Sequence, residues 1–203
     1  GQLEEFTRRI EKLLRRNIVP KAILLSGGGN DVAGTEFSVM VNHARSPIAG
    51  LNKSVLQGVI DERVYISYAT ILSAITRLCE QRLGQRIPIL IHGYDYSVPD
   101  GRGFWGGWGI LPGPWLEPGF REKGYDDMKV RIDLTKQMID RFNKMLQNIV
   151  DTTSFSHVKY IDLRNSLSIG SNYKKDWANE LHPTEAGFGR ITNRFAAVLD
   201  TLP

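Results

Sequence analysis

Apolar positions along the 203-residue chain alternate between two periods, and the alternation predicts the order of elements. Leu3, Phe6, Ile10, Leu13 and Leu14 recur at helical steps and predict a helix over 2–16. Pro20 ends that pattern, and Ala22-Ile23-Leu24-Leu25 reads as a buried strand running into three glycines. Residues 35–60 are irregular, with two short helical stretches at most. Val64, Tyr68, Ile71, Leu72, Ile75 and Leu78 predict a long helix over about 62–83 closed by Gly84. Ile87-Pro88-Ile89-Leu90-Ile91 is a second strand, with Pro88 near its start, where a missing N–H is tolerable. A helix over about 125–150 carries Met128, Ile132, Met138, Phe142, Met145 and Ile149. Residues 158–163 form a third strand. A last helix over about 184–200 is predicted to bury Phe188, Ile191, Phe195 and Leu199.

Helix and strand in strict alternation imply an α/β fold, a parallel sheet with helices on both faces. Ligands in such folds bind beyond the carboxyl ends of the strands. That rule gathers the segments after the strands, those holding Asn30, His92 and His182, at one edge. The length suits one sizeable core rather than two. Residues 97–120 break the alternation. They hold seven glycines, four prolines and three tryptophans, the composition and length of a binding loop or lid.

Composition narrows the functional classes. The apolar fraction of 41%, the charged fraction of 24% and a net charge of +4 are ordinary. No basic run supports nucleic-acid binding, and no apolar run reaches the length of a membrane span. The single cysteine, Cys79, stands among apolar residues at helical spacing and reads as core. His43 and His157 read as surface residues. No cluster has metal-ligand spacing, so neither a metal nor a cofactor is expected.

Two short blocks carry chemistry. Gly28-Gly29-Asn30-Asp31 follows the first strand. Glycines let the backbone turn sharply, and an Asn there has two N–H donors that can face a developing oxyanion. A plain turn bonding its own backbone is the alternative. The run lacks both the Gly-Lys-Ser/Thr ending and the G-x-G-x-x-G spacing of phosphate loops. His182, ahead of Pro183 and the last helix, is placed to project a general base into the cleft. His92, at a strand end, either lines the cleft or is structural.

In order, separation and context, Gly28-Gly29-Asn30-Asp31 resembles the G-x-N-D block of the SGNH (GDSL-type) hydrolases, and His182-Pro183 their terminal D-x-x-H-P block. The resemblance covers essentially the whole chain. It implies a three-layer, flavodoxin-like fold and an esterase, acyl hydrolase or carbohydrate deacetylase. By that resemblance Asn30 would be an oxyanion donor and His182 the base; independently of it, Gly29, Asp31, His92 and the aromatic faces of Trp105 and Trp108 are read as substrate-binding positions. The expected substrate is a small-molecule or carbohydrate ester.

Two features depart from that family. No Gly-Asp-Ser occurs; the nucleophile and the first strand are expected upstream of Gly1, and Ser26 is not read as a substitute. Asn179 stands where the family has aspartate three residues before the histidine; it can orient the ring without charging it, and Asp176 or Glu180 are alternative acids. A sheet lacking that strand has an unpaired edge, so pairing with an N-terminal segment or a second copy is expected. A non-catalytic binding module derived from a hydrolase fold is the rival reading.

Overall fold

The computed structural model describes residues 2–16, 18–104 and 113–202. Three strands, β1 (Ile23–Leu25), β4 (Ile89–His92) and β5 (Val158–Ile161), form a sheet in the order β1-β4-β5. Both pairings are parallel, with Leu24 opposite Leu90 and Leu90 opposite Lys159. A two-residue ribbon, β2 (Val41–Asn42) with β3 (Gly50–Leu51), lies apart from it.

Alternation along β4 divides the molecule into layers. Ile89 and Ile91 enter the larger core, with residues of α1 (Gln2–Leu14), α3 (Tyr65–Leu83) and α5 (Met128–Val150). Leu90 points to the opposite face, where it packs with Ile161, Leu163 and Leu202 under α6 (Glu185–Leu199). Side chains of period two thus feed two helical layers from one short strand.

The helices start and stop where their chemistry requires. Asp127 caps α5 by accepting the Lys129 N–H at 2.7 Å, and Thr184 caps α6 by accepting the Gly187 N–H at 3.1 Å. Gly84 closes α3 in the left-handed region, φ 68°, its N–H on Glu80 O. Before α3 the chain is already helical: α2 (Lys53–Leu56) passes into a π-helical stretch, Gln57–Val64. The helical path therefore begins earlier than the apolar pattern predicts, with Ile60 and Val64 both buried. Residues 35–40 add a 3-10 turn, and a short helix, α4 (Glu117–Glu122), begins inside the segment 97–120 read as a loop.

Three expectations are corrected. Leu13 is exposed, while Ile10 and Leu14 enter the core and Phe6 packs against it. Phe188 is 52% exposed, and Ile191, Phe195 and Leu199 are only half-buried, because α6 covers β4 and β5 but not β1. The consequence is visible at Leu24, 51% exposed on the same side of the sheet. His157 is half-buried rather than on the surface, with Nε2 2.8 Å from Thr76 Oγ1. Cys79 is buried and His43 exposed, as expected.

Candidate functional site

The segment 176–184 returns on itself ahead of α6. Ala178 and Asn179 both donate N–H to His182 O, and Thr184 donates to Asp176 O. Within this turn Asn179 is buried, and its Oδ1 accepts from the Leu181 N–H at 3.0 Å and the His182 N–H at 2.8 Å. Two backbone donors identify that atom as the oxygen of the amide. The same oxygen lies 2.9 Å from His182 Nδ1. Nδ1 must therefore carry the proton, which leaves Nε2 as an acceptor, the tautomer a general base needs.

The imidazole packs against two aromatic rings, Phe104 at 4.9 Å and Trp115 at 5.3 Å between centroids, which also touch each other at 5.7 Å. Burial lowers the His182 pKa below the ordinary imidazole value, so the neutral ring is favoured. Trp105 and Trp108 lie outside the described residues.

Neither carboxylate considered as a partner faces the ring. Asp176 binds the Ser168 N–H at 2.7 Å through one oxygen and Arg190 through the other. Glu180 is fully buried, and its two oxygens accept four backbone N–H groups.

The glycine turn is built differently. Tyr94 Oη accepts the Gly29 N–H at 3.0 Å and donates to Gly27 O at 3.0 Å, while Tyr68 Oη donates to the same carbonyl at 2.9 Å. Gly28 has φ 82°, and a Cβ there would lie 2.8 Å from the Phe142 ring; glycine is required on both counts. Asn30 is exposed at the tip, and Asp31 pairs with Arg63 at 3.0 Å. His92 contacts Tyr94 at 5.8 Å and Phe195 at 5.3 Å between centroids, with Nδ1 2.7 Å from Gly93 O. Its second nitrogen aside, it is packed as a structural residue.

The structure thus joins Gly29, Tyr94 and His92 in one cluster and Asn179, His182, Phe104 and Trp115 in another. Both follow the carboxyl ends of strands, and among the described residues no hydrogen bond or ring contact links Asn30 to His182. The apolar spacing placed Tyr68 on a helix but gave no sign that its hydroxyl, or that of Tyr94, closes the glycine turn, since a tyrosine bonded 41 or 65 residues away has no local signature. Sequence reasoning also passed over Glu180 as a backbone acceptor, for the same reason.

The fold defines the class plainly: an α/β chain with a parallel sheet between helical layers. No family model matches the chain, and no curated protein matches it. Among solved structures it is similar to a crystal structure of a candidate acylhydrolase from Bacteroides fragilis, with a TM-score of 0.46 and 12% identity over 96% of this chain and 69% of that one. Among the described residues, no helix is long and apolar enough to cross a membrane, and no group of His, Cys, Asp and Glu side chains has the arrangement of a metal site.

Proposed function

We propose that the chain is one domain of an ester hydrolase of the SGNH type, acting on a carboxylic ester of a small molecule or carbohydrate. The observation that carries this reading is the Asn179–His182 pair: a buried amide oxygen fixes the tautomer and leaves Nε2 unprotonated. In the proposed reaction His182 Nε2 takes the proton of a serine hydroxyl as the oxygen attacks the acyl carbon, then returns it to the leaving alcohol. Asn179 orients the ring as a neutral partner. Asn30 Nδ2 donates to the oxyanion, a contribution worth about 2.7–4 kcal/mol in barrier where it has been measured in other enzymes.

The nucleophile is proposed to come from a polypeptide segment preceding this sequence. Support comes from the sheet. Among the described residues β1 pairs only with β4, and Leu24 on it is exposed. An unpaired strand edge with an uncovered apolar residue suits one more strand and its helix. That added strand would bring a serine to the same edge as Asn30.

The rival reading, a binding module, is favoured by the aromatic walls at His182 together with the absence of a serine bonded to its ring among the described residues. Hydrolysis of p-nitrophenyl acetate separates the two. The longer polypeptide should hydrolyse it and lose that activity with His182→Ala, whereas the 203-residue chain alone should be inactive. Equal hydrolysis by both, unchanged by His182→Ala, would reject the assignment.

A further inference from the structure

One buried carboxylate reaches both ends of the loop that places Phe104 and Trp115 on the imidazole. Glu180 Oε1 accepts the Gly101 N–H at 2.9 Å and the Glu117 N–H at 3.1 Å. Its Oε2 accepts the Trp115 N–H at 2.7 Å and the Leu116 N–H at 2.8 Å. Gly101 precedes the aromatic segment and Trp115–Glu117 follow it, so one side chain holds both feet of the loop. Trp115, Leu116 and Glu117 donate from the start of α4, where amides have no partner within the helix.

Glu180 lies in the Asn179–His182 turn itself, and its own N–H donates to Arg102 O at 3.2 Å. Arg102 returns the contact: Nη1 donates to Trp177 O at 3.1 Å and Ala178 O at 3.0 Å, and its Nε pairs with Asp100. Loop and turn are therefore cross-tied in both directions. Four N–H donors use the four acceptor positions of a carboxylate. An amide in that place would aim its own N–H₂ at two of them.

We propose that Glu180 is the positioning residue of the site: its carboxylate clasps both feet of the aromatic loop to the Asn179–His182 turn, and so holds Phe104 and Trp115 against the imidazole. The rings then shield His182 from water and form the wall against which an apolar or ring-shaped part of a ligand lies. Its description as positioning rests on His182 acting as base. The clasp itself does not, because it concerns only this chain.

The test is the ring-proton NMR titration of His182 in the 203-residue chain, alongside amide exchange at the four donors. In Glu180→Gln the His182 midpoint should move upward toward the ordinary imidazole value as the rings lift, and exchange at Gly101 and Trp115 should accelerate at least about tenfold. A residue that only capped α4 would change stability and leave the His182 midpoint in place. A folded Glu180→Gln chain with an unaltered midpoint would overturn the proposal. Phe104→Ala, a change at a partly exposed ring, should raise the midpoint without unfolding the chain; no change there would equally overturn it. Should Glu180→Gln not fold, wild-type exchange at Gly101 and Trp115 decides together with Phe104→Ala: rates of an open loop would refute the clasp. A chain that shows these shifts while its longer form hydrolyses no ester would defeat the proposed activity and leave the clasp standing.

Discussion

Two phenols share one carbonyl beneath the glycine turn, and that arrangement predicts a non-additive pair of substitutions. Tyr68→Phe removes one hydrogen bond to Gly27 O, which keeps its bond from Tyr94. A single bond lost with its acceptor still satisfied costs about 1 kcal/mol. Tyr94→Phe removes two, and leaves the Gly29 N–H without its partner. The expected cost is about 2 kcal/mol, the sum of a lost bond and a half-buried unsatisfied donor. Ring packing is retained in both, since the Tyr94 ring on Phe142, 5.4 Å between centroids, is unchanged by loss of the hydroxyl. Burial raises the pKa of both phenols, so each is a neutral donor throughout the working range. Only the double variant strips Gly27 O of both donors. It should therefore cost about 1 kcal/mol more than the two single changes added together. Urea unfolding at fixed pH reads all three, with constant m confirming that stability alone has changed. A larger cost for Tyr68→Phe than for Tyr94→Phe, or strict additivity, would refute this account of the turn.

Two further outcomes follow from the histidine. In Asn179→Asp a charged oxygen replaces a neutral one 2.9 Å from Nδ1; this favours the imidazolium, so NMR should show the His182 midpoint higher than in the wild type, and a fall or no shift would contradict the assigned contact. His92, His157 and His182 all have pKa values lowered by burial. As pH falls from the ordinary value of about 6.5, the unfolded chain takes up these protons first, so stability declines until each folded-state pKa is passed. Asp95 and Glu180, whose carboxyls burial raises, act in the opposite sense. The histidine share is read as a difference: the urea midpoint of His182→Asn should fall less steeply with acidification than that of the wild type, and equal slopes would count against it.

Periodicity carried most of the architecture. The helix over Met128–Val150 and the strands at Ile23–Leu25, Ile89–His92 and Val158–Ile161 lie where their apolar spacing puts them, because burial of a stripe or an alternating face is a local pattern. The burial of Phe188 was overestimated for the converse reason. A stripe states that a face is apolar and not whether another layer reaches it, and α6 has no partner over β1 among the described residues. The same limit applied to residues 97–120, where irregular composition concealed α4 and the anchorage of both loop ends on Glu180.

By itself the sequence determined the α/β class, the order of its elements and two polar blocks after strands, since each depends on residues near one another in the chain. Tertiary structure decided which groups meet. It set Asn179 rather than Asp176 on the imidazole, placed Phe104 and Trp115 beside it, and turned Glu180 into an acceptor for four amides from a distant loop. Those contacts span from three to 79 residues. A side chain's identity does not reveal which backbone donors the folded chain will leave unpaired near it.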